Sequence, residues 1–235
     1  MRVFWLAAAA LGTASTLAAC GGSGTPSGGP VAVVAAGASL NPDGFAYPSP
    51  PGGYGLSARL GTTAGSIIQN FKFLGYPNGD SSQGLQPISL ADYYDPCSKR
   101  YALLRLSAAS VWCTYCQAET AAVVAEKATL ASERVVVIQA LGDGQTLGIG
   151  ATQTDLDYWV KKESSNFTEM LDPGFANLGS FFLASEVPWN ADIDPRTMEI
   201  LQAATGFGGD LNADISLPLA QVKGSPAYPV TVTCN

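Results

Sequence analysis

The sequence predicts an α/β fold in which a mixed β-sheet is flanked by helices. Two observations lead to this prediction. Two apolar segments of strand length, one of them a run of β-branched residues, are typical of buried strands. Each is followed, after a short loop, by a segment whose composition favours a helix. In chain order the segments give strand, helix, strand, helix, strand and a late hairpin, which is the pattern of an α/β domain.

The individual elements follow from local composition. A helix is expected over 116–132, beginning near Cys113, because this stretch contains neither Gly nor Pro. A second helix is expected to begin at Thr152 or Thr154, either of which can cap it. A brief helical stretch is expected around 175–182. Strands are predicted at 101–107, 134–141 and 167–171, with the late hairpin joining 189–193 to 198–203.

Composition excludes several classes of function. The chain has 235 residues, with 12 Lys+Arg against 19 Asp+Glu and a formal net charge of -7, so it lacks the basic surface that nucleic acid requires. It contains no histidine. This excludes a Ser-His-Asp triad, a Cys-His protease, a His-ligated metal and a CxxCH haem attachment. Any chemistry must therefore use other residues, and the five cysteines are the main candidates.

The N-terminus predicts export and a lipid anchor. Arg2 precedes the apolar run 3–11, which is shorter than the roughly 20 residues of a membrane span and suits a signal peptide. The sequence Leu-Ala-Ala-Cys at 17–20 resembles the lipobox of bacterial lipoproteins, L-[AS]-[AG]-C. This resemblance implies that Cys20 becomes the lipidated first residue of the mature protein. The alternative is an ordinary secreted protein cut near Ala19, with Cys20 as a spare thiol.

These signals divide the chain into three parts. Residues 1–19 are a signal peptide, 20–55 are the lipidated cysteine and a flexible tether rich in Gly, Pro and Ser, and 56–235 are one domain of ordinary size. We expect the protein in the cell envelope, outside the cytoplasm, with the lipid as its only attachment to a membrane. Gly21 is not the aspartate that marks inner-membrane retention in some bacteria, so the outer membrane stays open as the location.

Cys113 and Cys116 lie at the predicted start of a helix, three residues apart, and can form a disulfide with each other. Unpaired backbone N–H groups and the helix dipole favour a thiolate at Cys113, which makes it the better nucleophile. Cys116 lies one turn further along the helix and is suited to resolve a mixed disulfide. Three alternatives remain: an inert structural disulfide, buried cysteines without a special role, or a zinc site completed by Cys97 and Cys234. An oxidising compartment disfavours the four free thiols that zinc needs.

The surroundings of this pair resemble a known fold. The order of elements resembles the thioredoxin fold: a strand, the motif Trp-Cys-Thr-Tyr-Cys at 112–116, a helix containing Glu119, a further strand, and Val187-Pro188 before a late hairpin. The likeness is greatest to envelope-anchored, TlpA-like thiol-disulfide oxidoreductases with the motif WCxxCxxE, and it covers roughly 65–207. It implies an opening β-hairpin around 71–94 and a redox enzyme that needs no cofactor and no metal. It also implies that the partners are cysteine-containing exported proteins and an upstream redox protein.

The resemblance assigns roles to two further residues. Pro188 matches a proline that is cis in the family and presents backbone to the substrate's cysteine. Glu119 matches an acid that can take a proton from the resolving cysteine in the family. The alternative interpretation of Glu119 is a solvent-exposed helix residue without a role in the reaction. Ser107 stands where thioredoxins place a buried acid, and it cannot act as a base at neutral pH. The dipeptide between the cysteines, Thr114-Tyr115, carries no charged group, so the direction of electron flow is left open.

Two other functions compete with this interpretation. The first is a peroxiredoxin-like thiol peroxidase on the same fold, whose motif is PxxxTxxC. With Cys113 as its cysteine, Ser110 stands for the threonine, but Leu106 occupies the place of the proline. The second is a structural or binding lipoprotein whose redoxin fold carries no activity.

The remaining cysteines and one acidic segment complete the sequence predictions. Cys97 and Cys234 are expected to pair and to hold the C-terminus, and the alternative is an electron relay between them and the active pair. The segment 210–214, Asp-Leu-Asn-Ala-Asp, begins like a calcium loop but lacks its later residues, so we expect a polar loop.

Overall fold

The computed structural model describes residues 39–48, 61–225 and 232–234. The predicted signal peptide, the lipidation site Cys20 and most of the predicted tether lie outside these residues. None of the helices in the described ranges combines the length and the apolar character that crossing a membrane would require.

Within the described ranges the fold is a seven-stranded mixed sheet with four α-helices, which confirms the predicted fold class. The sheet order is β2-β1-β5-β4-β3-β6-β7, in which β3, β4 and β5 are mutually parallel and β1, β6 and β7 pair antiparallel with their neighbours. The strands are β1 Lys72–Tyr76, β2 Gln86–Ser89, β3 Leu103–Ser110, β4 Val135–Asp143, β5 Thr168–Leu171, β6 Trp189–Asp194 and β7 Glu199–Thr205. The helices are α1 Thr114–Ala125, α2 Lys127–Ser132, α3 Gln153–Glu163 and α4 Leu211–Gly224.

The two central strands explain the layering. Every residue of β3 is buried, as in a strand covered on both faces. Arg105 and Ser107 of β3 lie on the face that meets α1 and α4, since their side chains contact Glu119 and Asp214. The opposite face includes Gly142 of β4, where an added Cβ would lie 2.1 Å from the ring of Phe175, so this close packing requires glycine.

The opening hairpin of the predicted fold is present. β1 and β2 pair antiparallel, with Phe73 opposite Ile88, and both side chains are buried. β1 also pairs with β5, so the hairpin extends the sheet at one edge. The chain therefore adds two strands to the edge of the sheet that is distant from β7.

Three predictions of local structure were wrong in detail. The helix expected over 116–132 is divided at Glu126, whose φ of -90° and ψ of 9° leave the helical region, and the two parts are α1 and α2. The helical stretch expected around 175–182 is a single 3-10 turn at Pro173–Phe175. The segment 210–214 is not a loop, because Asp210 caps the N-terminus of α4 by accepting a hydrogen bond from the backbone N–H of Ala213.

Part of the predicted tether packs against the domain. Residues 39–48 form a turn in which the buried amide of Asn41 donates to the carbonyl oxygen of Tyr94. The hydroxyl of Tyr47 donates to the carbonyl oxygen of Ile68 at 2.8 Å. Contacts with the domain therefore begin well before residue 56, where the sequence placed its boundary.

Candidate redox site

The dithiol lies at the start of α1, as the sequence predicts. Cys113 and Cys116 form a disulfide, and Cys113 is the residue that caps the helix. The backbone N–H of Cys116 points at Sγ of Cys113, 3.0 Å away. Only 3% of Cys113 is exposed, and none of Cys116. When the pair is reduced, this N–H and the helix dipole will stabilise a thiolate at Cys113 in preference to Cys116.

Pro188 lies beside the dithiol. The Val187-Pro188 bond is cis, and it directly precedes β6. The carbonyl oxygen of Val187 lies 3.3 Å from Sγ of Cys113. The ring of Trp189 then packs against Phe181 and Phe182, with centroid separations of 4.9 and 5.4 Å, which supports the loop before the proline. The structure thus brings Pro188 and Cys113 together from positions 75 residues apart in the chain.

Glu119 is buried, with 1% exposure, and is not a solvated helix residue. Its Oε1 accepts from Nη2 of Arg105 at 3.3 Å, and its Oε2 accepts from the hydroxyl of Ser107 at 3.3 Å. Burial raises the pKa of Glu119 to about 7, although the charge and hydrogen bond of Arg105, the hydrogen bond of Ser107 and the nearby amide of Asn190 oppose the rise. A carboxyl group with this pKa can accept or release a proton near neutral pH.

Ser107 connects Glu119 to a larger polar network. The amide of Gln139 donates to Oγ of Ser107 at 3.4 Å. The oxygen of the same amide accepts from Thr120 at 2.9 Å and from the indole N–H of Trp159 at 3.1 Å. Ser107 therefore holds Glu119 by a hydrogen bond and does not replace the missing acid as a base.

Arg105 is the centre of a buried ionic cluster that the sequence prediction missed. Its guanidinium contacts Glu119 and, at 3.2 Å, Asp192 of β6, and it lies 3.7 Å from Asp214 of α4. Burial raises the pKa of Asp192, and the charge of Arg105 opposes that rise. An arginine inside an otherwise apolar strand was the available signal, because a buried charge requires partners. The partners themselves come from distant elements and have no local signature.

Four of the exposed large apolar side chains lie at the dithiol end of the sheet: Tyr115 in the first turn of α1, and Leu147, Ile149 and Leu183 on loops. Tyr115 lies within the motif, Leu147 and Ile149 follow β4, and Leu183 precedes β6. β3 and β4 are parallel and β6 is antiparallel to β3, so these loops emerge at the same edge of the sheet. We call these four residues the apolar rim.

The second disulfide is also formed. Cys97 is bonded to Cys234, with their Cα atoms 5.6 Å apart and a separation of 137 residues in the chain. With Cys113 bonded to Cys116, these four cysteines form two disulfides and not the four thiolates of a zinc site.

Comparison with solved structures identifies the fold as thioredoxin-like. A protein named as a candidate thiol:disulfide interchange protein DsbE, from Chlorobium tepidum, aligns with a TM-score of 0.53 and 18% identity over 69% of this chain and 99% of its own. The thioredoxin domain of a thiol-disulfide oxidoreductase from Bacteroides vulgatus aligns with a TM-score of 0.50 and 12% identity, over 67% and 99% of the two chains. AhpC from Enterococcus faecalis aligns with a TM-score of 0.52 and 12% identity, over 69% and 93%. No protein-family model and no curated protein sequence matches this chain.

Proposed function

We propose that this thioredoxin-fold protein is a lipid-anchored thiol-disulfide oxidoreductase of the bacterial cell envelope. The observation that carries the proposal is the Cys113–Cys116 disulfide at the start of α1, beside the backbone of Val187-Pro188. A nucleophilic cysteine at a helix start and a second cysteine one turn away are the parts that disulfide exchange requires. The similarity in fold to DsbE-like and thioredoxin-domain proteins supports the same activity.

The exchange proceeds in two displacements. The thiolate of Cys113 attacks a substrate disulfide, forms a mixed disulfide and releases one substrate sulfur as a thiolate. Cys116 gives its proton to Glu119 and attacks Sγ of Cys113, which forms the Cys113–Cys116 disulfide and releases the second substrate thiolate. Two electrons pass from the dithiol to the substrate. In the reverse direction the protein oxidises a substrate dithiol by the same steps, and the arrangement accommodates both.

Pro188 shapes the surface that the substrate meets. The backbone of Val187-Pro188 lies against Cys113, so a substrate segment that reaches this cysteine must pass along it. The apolar rim adds exposed aliphatic and aromatic side chains at the same edge of the sheet. Exposed apolar groups beside a reactive site favour protein segments that are themselves apolar. We therefore infer that the substrates are cysteines in apolar segments of exported proteins.

The peroxiredoxin-like alternative shares the fold but fits the site less well. Leu106 occupies the position of the motif's proline and lies buried in β3. The structural alternative requires a dithiol that does not cycle.

Exchange with model peptides tests the proposed function. We expect the reduced mature protein to reduce peptide disulfides flanked by Leu and Phe about tenfold faster than peptides flanked by Gly and Ser, because the apolar rim binds the former. Both reactions should yield the oxidised Cys113–Cys116 pair, detected by alkylation and mass spectrometry. Reaction with hydrogen peroxide should be no faster than that of free cysteine. A pair that resists reduction and exchange would support the structural lipoprotein, and fast oxidation by peroxide alone would support the peroxidase.

Membrane attachment through Cys20 is part of the proposal and has its own test. In a bacterial host that processes lipoproteins, Cys20→Ser should abolish labelling by a fatty-acid analogue and move the protein from the membrane to the soluble fraction. The acidic chain gives little attraction to anionic lipid, so the acyl chains must supply the attachment. Ser23→Ala, three residues downstream, should leave labelling and fractionation unchanged. Membrane association that persists in Cys20→Ser would contradict the anchor.

A further inference from the structure

A polar pocket of about 380 Å³ lies on the helix-covered side of the sheet, next to the ionic cluster. It is lined by Arg105, two residues of β6, part of β7 with the loop that follows it, and the first turn of α4: Asn190, Asp192, Gln202, Ala204, Thr205, Gly206, Phe207, Gly208 and Asp214. The pocket reaches solvent at its outer side. Ala204 and Gly208 are exposed there, and 30% of the Asp214 side chain is exposed.

One layer of side chains separates this pocket from Glu119. Arg105 lines the pocket with its guanidinium and also contacts Oε1 of Glu119. Asn190 lines it as well, and its amide lies close enough to Glu119 to oppose the rise of that group's pKa. Glu119 is thus separated from this pocket by a single layer of side chains, although it is buried itself.

Polar atoms in this layer are available to hold water. Arg105 Nε and both amide atoms of Asn190 are buried and have no well-directed hydrogen bond to a protein group. Buried polar groups of this kind are normally satisfied by ordered water. One donor from Arg105 together with the donor and acceptor of Asn190 supply the two to four partners that a buried water needs.

The proposed reaction creates a need for a second route. When a substrate is joined to Cys113 it covers the dithiol, and Glu119 has just received the proton of Cys116. With Glu119 only 1% exposed, that proton has no direct path to solvent. The pocket offers a second path, because Arg105 and Asn190 separate it from Glu119 by only one layer of side chains and it opens to solvent near Ala204, Gly208 and Asp214.

We propose that the pocket carries the proton of Glu119 to solvent while substrate covers the dithiol, with Arg105 as the residue that positions Glu119 toward it. The proton leaves Glu119 as hydronium through water in the pocket, and the carboxylate is restored. No other species is consumed. The inference rests on the proposed function.

The charges around Glu119 suit this role. Arg105 of β3 contacts Glu119 directly, and Asp192 of β6 and Asp214 of α4 both contact Arg105. The thiols of Cys113 and Cys116 lie at the start of the same helix as Glu119. One cation facing three carboxyl groups leaves an excess of negative charge when all are ionised. Burial raises the pKa of Glu119 to about 7 despite the charge of Arg105, so Glu119 gains and loses its proton in the working range of pH.

Proton release measured together with disulfide formation tests the inference. The reduced mature protein is mixed rapidly at pH 8 with a peptide disulfide that joins two aromatic thiols, each of which is coloured once released. These thiols leave as thiolates and take up no proton, so they do not disturb the proton measurement. Absorbance then shows two phases, attack by Cys113 and resolution by Cys116, and a pH indicator records the proton. We expect proton release to follow the second phase closely in the unmodified protein.

Substitutions at the mouth of the pocket supply the comparison. In Ala204→Leu and Ala204→Phe the rate of proton release should be about 3-fold and 10-fold lower than the rate of the second phase. The rate of the first phase should not change. Ala203→Phe is the control, because Ala203 is exposed on the opposite face of β7 and should behave as the unmodified protein does. Glu119→Gln should slow the second phase itself by about 100-fold, since the base is lost.

Each outcome decides a different point. Proton release in Ala204→Phe that keeps pace with the second phase, as in Ala203→Phe, would overturn the pocket route and leave the oxidoreductase proposal intact. A second phase unaffected by Glu119→Gln would overturn the role of Glu119 and the route with it. Absence of any second phase in the unmodified protein would refute the proposed function itself. Thermal unfolding of each variant identifies one that has merely lost its fold.

Discussion

Cys116→Ser is expected to turn the protein into a trap that holds its substrates through a mixed disulfide with Cys113. Without the resolving thiol, release depends on an external thiol and loses the advantage of a group held one turn away. We expect the mixed disulfide to last about 10³-fold longer or more. Gels run without reductant on cell envelopes should then show discrete higher-mass bands, and mass spectrometry of these bands identifies the partners directly.

Cys113→Ser provides the complementary result. It removes the nucleophile, so exchange should fall to the background level and no bands should form, because Cys116 has no exposure to substrate. The pair Cys97→Ser with Cys234→Ser serves as the control and should retain the exchange activity. Loss of exchange in that control, with the fold intact, would favour the electron-relay alternative. Bands that persist in Cys113→Ser would mean that another cysteine is the nucleophile.

The second large effect concerns stability. Replacing both Cys97 and Cys234 by serine should lower the free energy of unfolding by about 4 to 5 kcal/mol, since a crosslink over 137 residues removes much freedom from the unfolded chain. Urea unfolding followed by tryptophan fluorescence measures this loss. The oxidised dithiol is kept in both proteins so that only one crosslink differs.

Local structure explains why the native state should survive that change. The carboxylate of Asp95, two residues before Cys97, accepts backbone hydrogen bonds from Lys99, Arg100 and Tyr101 at 3.0, 2.6 and 2.9 Å. This loop is therefore held by its own hydrogen bonds, and the effect of the crosslink falls mainly on the unfolded chain. A loss below about 1 kcal/mol would show that the disulfide contributes little to stability.

The local features of the site could be predicted from sequence because short-range physics determines them. A CxxC motif at the end of an apolar strand and before a Gly-free, Pro-free segment places Cys113 at a helix start, and the structure has it there. The division of the helix at Glu126 and the formation of α4 were not predictable in this way. α4 contains Pro218 in its interior, which disfavours a helix locally, yet Leu211, Ile215 and Leu219 pack into a core cluster.

The fold class follows from the order of strand and helix segments along the sequence, and the position of Cys113 and Cys116 at a helix start follows from one strand and the segment after it. The environment of Glu119, in contrast, depends on how distant elements pack together. Arg105, Asp192 and Asp214 lie on β3, β6 and α4, and they meet only because the sheet places β6 beside β3 and α4 covers that face. Burial and charge depend on what surrounds a group in space, so the pKa of Glu119 and the pocket next to it follow from the folded chain and not from local sequence.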